Sequence, residues 1–307
     1  MKILLVRLRL VGDVVFTTPV IRAVRRRYPD AELTYVVEPS AAAVVRANPH
    51  LDEVIVVPTV KGLARLRSDA ALAWRLRRRA YDLAIDMHGG PRAAWLTWAS
   101  GAPSRIGYRI KGRSWMYTTV VDRSPDLAPR HSVVNQWDLL RTLGVGECDP
   151  GRDAVEMAEE PRAAAAVEDR LAGAAIDATH PLVLIHVSAG NLFRRWPAEA
   201  FEDLSLQGLR ALTERAALFI GGDSGPMHIA ATTTVPIVAL YGPTLPARSE
   251  PWRPGPDRTV AMEIHGLPCR PCDQRVCAPG DYRCLGQISP AAVIEAAARL
   301  MATTTPT

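Results

Sequence analysis

Short apolar runs recur along the chain, and each is followed by a stretch whose apolar positions repeat with helical spacing. Residues 2–6, 31–37, 53–57 and 82–87 read as strands. Gly12-Asp13 forms a loop after the first, and a helix with Pro19 inside it then runs to Tyr28-Pro29. Residues 41–47 make a short helix, and 62–79 a longer one with leucines at 63, 66, 72 and 76. Trp95 and Trp98 stand three apart on the next helix, a spacing that points to core. Strands alternating with helices predict a parallel sheet covered on both faces. Residues 131–143 are helical, and 144–151 has the glycine, proline and aspartate content of an interdomain linker.

A second series follows, with a helix at 162–171, strands at 181–187, 217–220 and 236–240, and a capped helix at 289–300. Its alternation breaks once. Pro197 opens a helix, only 198–202 follow, and another helix starts at 203 with no strand between. A parallel sheet needs a return strand there, so about one αβ unit, ~30 residues, is missing near 202–203.

The second series also contains the most informative stretch, an apolar strand that stops at Gly221-Gly222 and continues as Asp223-Ser-Gly-Pro-Met-His228. Gly225 and Pro226 fit the cap and first position of a helix, where free N–H groups favour an anion. A carboxylate at Asp223 repels phosphate but accepts hydrogen bonds from sugar hydroxyls, so the loop suits a ligand with both groups. The competing reading is a tight turn in which Asp223 or Ser224 caps the helix. The loops 88–92 and 241–244 also follow strands and lie at the same carboxyl edge, where open α/β sheets bind ligands.

The length of 307 residues accommodates two domains. With 48% hydrophobic and 22% charged residues the composition is globular. No apolar run approaches the roughly 20 residues a membrane-spanning helix needs. Arg7 and Arg9 interrupt the apolar N-terminus, which argues against a signal peptide and for the cytoplasm. A net charge of +5, with arginine clusters at 25–27 and 75–79, would suit nucleic acid or an anionic membrane surface, or be a solvated face. No nucleic-acid-binding signature accompanies it, so nucleic acid is not expected as a partner. The segment Arg105-Ile-Gly-Tyr108, with Arg109, Lys111, Arg113 and Trp115 after it, mixes cations with aromatics. It contacts an anionic substrate or covers a surface. Cys269, Cys272, Cys277 and Cys284 form C-x2-C-x4-C-x6-C, which fits a structural zinc but also free packed thiols or two disulfides; zinc is not the favoured outcome. Cys148 stands alone.

Taken together, several blocks resemble glycosyltransferase family 9, the ADP-heptose:lipopolysaccharide heptosyltransferases, over nearly the whole chain. They are Lys2-Ile-Leu-Leu-Val-Arg7 with Gly12-Asp13 and Pro19, Tyr81 to Asp86, Arg105-Ile-Gly-Tyr108, His186 to Pro197, Phe219 to His228, Tyr241-Gly-Pro-Thr244 and the cysteine loop. The resemblance implies an α/β GT-B architecture of two Rossmann-like domains facing across a cleft, 1–150 for the acceptor and 151–307 for the nucleotide sugar. It implies metal-independent, inverting, single-displacement transfer of heptose from ADP-heptose to a lipopolysaccharide inner-core acceptor. Asp13 matches the family's base, although an aspartate there also reads as a helix N-cap. Ser188, Arg194, Asp223, Ser224, Gly225, Met227 and His228 match the donor-binding positions. Arg194 replaces the lysine of many members, and His228 also reads as a core histidine. His88, Arg92, Arg105 and Arg109 are expected to bind the acceptor, an anionic glycolipid reached by transient contact with the inner face of the cytoplasmic membrane. The missing unit would carry part of the adenosine pocket, including an acidic ribose contact. Two alternatives remain: another nucleotide sugar and surface glycan within the same family, or a non-catalytic nucleotide-sugar binder. The binder has no need of Asp13. An oxidoreductase is disfavoured because no G-x-G-x-x-G follows the first strand of either series.

Overall fold

The structure is a computed structural model that describes residues 1–123, 129–177, 179, 181–186, 204–272 and 276–304. The chain divides into two compact units, Met1–Asp149 and Pro150–Thr307.

The first unit is built on six strands: β1 (Lys2–Val6), β2 (Glu32–Val37), β3 (Glu53–Val56), β4 (Leu83–Asp86), β5 (Ser104–Tyr108) and β6 (Thr119–Val121). Their order is β3-β2-β1-β4-β5-β6, all parallel. Central β1 has Ile3, Leu4, Leu5 and Val6 completely buried, which explains its unbroken apolar run. Its last residue, Val6, pairs with both Val36 and Asp86, so the carboxyl ends of β1 and β4 lie side by side. Strands β5 and β6 were not expected, because both are short and β5 carries Arg105.

The helices correct the sequence reading in three places. Gly12-Asp13 lies inside a short helix, Val11–Val15, and a second helix, Thr18–Arg27, begins beside Pro19, whose missing N–H costs nothing in the first turn. In the helix Gly62–Arg78, Leu72 and Leu76 are buried whereas Leu63 and Leu66 face solvent. Trp95 packs against the core, but Trp98 is 43% exposed and meets Trp115 edge-on at 5.8 Å.

The second unit has four described strands, β7 (Val183–His186), β8 (Leu218–Gly222), β9 (Ile237–Tyr241) and β10 (Thr259–Glu263), in the parallel order β10-β9-β8-β7. The helix Pro290–Thr304 buries Ala296 and Leu300 against Leu218 and Val238. The expected helix from 203 forms as Leu206–Arg215, with the Ser205 hydroxyl accepting from the Gly208 amide at 3.0 Å. The expectation of a buried strand at 181–187 is corrected. Val183 and Ile185, which share one face of β7, are 38% and 50% exposed. The break near 202–203 falls outside the described residues.

Candidate functional site

In the first unit the chemistry gathers at the carboxyl ends of β1 and β4. Asp13 is the third residue of its short helix and is about one-third exposed, with Leu10 rather than Asp13 in the capping position. Its Oδ2 accepts from the Leu10 amide at 3.4 Å and faces Arg7 Nη2 at 2.5 Å. Arg7 is buried, and its guanidinium also donates to the Met87 carbonyl at 2.6 Å and the Arg9 carbonyl at 3.1 Å.

Asp86 ends β4 with no exposure and shapes the loop that follows. Its carboxylate accepts from the amides of His88 and Gly89, both at 2.8 Å, and from the Tyr117 hydroxyl at 2.6 Å. Burial raises the Asp86 pKa, a cost those three donors offset only in part. Tyr117 can lie there because residue 107 on β5 is glycine; a Cβ would run into the tyrosine ring. Gly89 adopts φ 72°, the left-handed region that favours glycine. Burial first, and then the charge of Arg7, lowers the His88 pKa to about 4, so its imidazole is neutral at neutral pH.

In the second unit, β8 pairs with β9 so that Gly222 lies beside Leu240, which brings Asp223 to the loop after β9. Asp223 is buried. Its Oδ2 accepts from the Thr244 hydroxyl at 2.5 Å, and its Oδ1 lies 3.4 Å from His228 Nε2. Ser224 holds the N-cap position of the short helix Gly225–Ala230 without a side-chain capping bond, and among the described residues its buried hydroxyl has no hydrogen-bond partner. Met227 and His228 are buried within that helix. A buried carboxylate, two hydroxyls and an imidazole thus meet where the loops after β8 and β9 come together. A polyhydroxylated ligand can exchange hydrogen bonds with all of them.

The sequence model described as Glycosyltransferase family 9 (heptosyltransferase) matches residues 70–207 and 202–282. The chain belongs to glycosyltransferase family 9. It is similar to the lipooligosaccharide heptosyltransferase 2 of Campylobacter jejuni subsp. jejuni serotype O:2, at 38% identity over 27% of this chain and 25% of the relative; that match spans only about a quarter of the relative's length. The lipopolysaccharide heptosyltransferase 3 of Escherichia coli is 24% identical over 87% of this chain and 91% of the relative. Among solved structures, the E. coli ADP-heptose LPS heptosyltransferase II superposes with a TM-score of 0.76 at 18% identity, over 99% of each chain. That likeness carries the fold, the GT-B class of two parallel-sheet α/β domains.

In this family 9 glycosyltransferase the residues expected to bind the acceptor separate. His88 joins the group around Arg7 and Asp13. Arg92 is largely buried and ion-paired with Asp69 at 2.5 Å and Glu38 at 3.2 Å. Arg105 donates to the carbonyls of Met116 at 2.8 Å and Ala102 at 2.5 Å. Both arginines hold the protein's own loops. Arg109 is exposed beside Asp122. On the donor side, Asp223, Ser224, Gly225, Met227 and His228 come together, whereas Ser188 and Arg194 lie outside the described residues. Sequence reasoning assigned no role to Arg7, Asp86, Tyr117 or Thr244 individually, although it placed the 241–244 loop at the ligand-binding edge. Arg7 did carry a signal, a cation directly after a buried apolar strand, but it was read as an interruption of the apolar N-terminus and as the end of a block of family resemblance, with no role of its own.

The four loop cysteines of the family 9 chain, Cys269, Cys272, Cys277 and Cys284, are free thiols lining one cavity of about 130 Å³. Among the described residues no group of three His, Cys, Asp or Glu side chains is close enough to hold a metal ion. Arg270, next to the first cysteine, donates to the carbonyls of Gly242 at 2.5 Å and Thr244 at 2.6 Å. That contact braces the loop bearing the Thr244 hydroxyl that meets Asp223.

Proposed function

We propose that this glycosyltransferase transfers heptose from ADP-heptose to a sugar hydroxyl of a lipopolysaccharide inner-core acceptor, with inversion and by single displacement. The observation that carries the reading is Asp13, a partly exposed carboxylate fixed by a buried arginine at the ligand-binding edge of the first sheet. Asp13 takes the proton of the acceptor hydroxyl as that oxygen bonds to the anomeric carbon. The bond from that carbon to the phosphate oxygen breaks, its electron pair leaves with ADP, and the proton ends on Asp13. His88 is neutral and adds no charge to compete for the carboxylate.

The donor lies in the second unit. Asp223 and the Thr244 hydroxyl it holds meet the heptose hydroxyls, with His228 behind them. The unpartnered Ser224 hydroxyl and the Gly225 amide face the diphosphate; Ser188 and Arg194, which the family resemblance assigns to the same group, lie outside the described residues. The acceptor lies on the first unit, where Arg109 reaches its anionic groups while Arg92 and Arg105 shape the surrounding loops. Among the described residues no helix is long and apolar enough to cross a membrane. A lipid-bearing acceptor is then met by transient contact at the cytoplasmic membrane face, and the net charge of +5 favours such contact. Catalysis in this reading requires no metal.

Relatives named as lipooligosaccharide and lipopolysaccharide heptosyltransferases support it, as does the structural neighbour named for ADP-heptose. Calorimetric titration of the full chain with ADP, UDP and GDP tests it. Selective ADP binding, followed by turnover of ADP-heptose with an inner-core acceptor, is the expected result. Preference for UDP or GDP rejects the donor, and binding to none of the three rejects the transferase reading.

A further inference from the structure

Arg7 follows Ile3, Leu4, Leu5 and Val6, all completely buried, and is itself buried. Burying a guanidinium is costly unless it is paired and its N–H groups are satisfied. Three segments satisfy it: Asp13 in the first helix, the Met87 carbonyl beyond β4, and the Arg9 carbonyl in the loop after β1. The Met87 carbonyl belongs to backbone set by the β1–β4 pairing, in which Val6 lies beside Asp86, and the Arg9 carbonyl to the loop that leaves β1. The guanidinium plane is thereby fixed before any substrate arrives, and one nitrogen remains for Asp13.

Both contacts of the Asp13 carboxylate, from Arg7 and from the Leu10 amide, fall on Oδ2. Oδ1 keeps its lone pairs for a substrate hydroxyl. We infer that Arg7 is the positioning residue of the base, a fork pinned to two carbonyls that holds the Asp13 carboxylate in its reactive orientation. This inference rests on the reading of Asp13 as the base. A lysine supplies a point charge but cannot donate to two carbonyls from a rigid fork while another nitrogen faces the carboxylate, so arginine and lysine are not equivalent here.

The fork also reaches His88. The charged groups that act on that imidazole are Arg7, Asp13, Arg9 and Arg123; the three cations oppose its protonation, with Arg7 the strongest of them, and Asp13 favours it. His88 is therefore a reporter of whether the Arg7 charge is in place, independent of turnover.

The test compares Arg7→Met, Arg7→Lys and Asp13→Ala in the full-length chain, with ADP-heptose and an inner-core acceptor as substrates. Misplacing a reacting group by about 1 Å costs on the order of 10²-fold, and Arg7→Met is expected to lose that much kcat with little change in donor KM or ADP affinity. Arg7→Lys recovers only part of the loss. Titration of His88 followed by NMR reads about 4 in the wild type and moves upward in Arg7→Met as an opposing cation is removed. Wild-type kcat in Arg7→Met, or a loss confined to KM, overturns the inference. Should Arg7→Met fail to fold, Arg7→Lys decides: reduced kcat at unchanged donor KM supports the pinned fork, and wild-type kcat overturns it. Turnover retained by Asp13→Ala would instead sink the base reading itself, a separate result.

Discussion

β1 and β7 open the strand series of the two units with similar apolar runs, Lys2-Ile-Leu-Leu-Val6 and Val183-Leu-Ile-His186, yet their environments differ. β1 lies between β2 and β4 with every apolar side chain buried, whereas β7 ends the described sheet with Val183 and Ile185 substantially exposed. An apolar run therefore says how a strand can be buried, and its neighbours decide whether it is. The same contrast separates the two reactive groups. In the first unit, carboxylates and an arginine are pinned to backbone amides and carbonyls. In the second, Asp223 is met by the side chains of Thr244 and His228, which can trade partners with a ligand.

The sharpest way to separate the two groups is Asp13→Ala. With Asp13 as the proposed base, its loss is expected to lower kcat by about 10²- to 10⁴-fold while ADP affinity, measured by calorimetry, is preserved. Substantial residual turnover would place the proton acceptor elsewhere. Next in size is Leu4→Ala in β1, for which chemical denaturation should show a loss of about 2–5 kcal/mol, the range for deleting a packed core leucine. In the second unit, Asp223→Ala removes a charged hydrogen-bonding partner worth about 1.5–3 kcal/mol, so donor affinity should fall roughly 10- to 100-fold. Unchanged affinity would mean Asp223 only ties Thr244 in place. The smallest effect is expected for Ile185→Ala, within about 0.5 kcal/mol, as for exposed positions. A loss like that of Leu4→Ala would show that β7 is covered in solution and would erase the contrast between the strands.

What could be read in the sequence follows the same division. The strands β1 to β4 and β7 to β9 announced themselves by apolar runs. β5, β6 and β10 did not, because Arg105 interrupts one, β6 has only three residues, and β10 mixes Thr259 and Glu263 with its apolar positions. The Gly-Gly-Asp-Ser-Gly-Pro turn was legible because its chemistry is local: a strand end, a carboxylate and a helix start lie in consecutive residues. Asp86, Tyr117 and Arg7 were not, because their roles depend on which strand lies beside which. The pairing of Val6 with Asp86 joins residues 80 positions apart, and no spacing along the chain encodes that. Helix 11–15 was hidden for another reason: Gly12-Asp13 carries a turn signature, while its first-turn hydrogen bond runs back to the Leu10 amide.

Gly107 shows how far such dependence extends. A single methyl group there would displace the Tyr117 ring, take one donor from Asp86, and loosen the carboxylate that also holds the His88 and Gly89 amides. In a saturation mutagenesis screen scored only by glycan output, this strand residue would therefore rank with the reactive positions although it touches no substrate. The map of intolerant positions will be wider than the map of contacts.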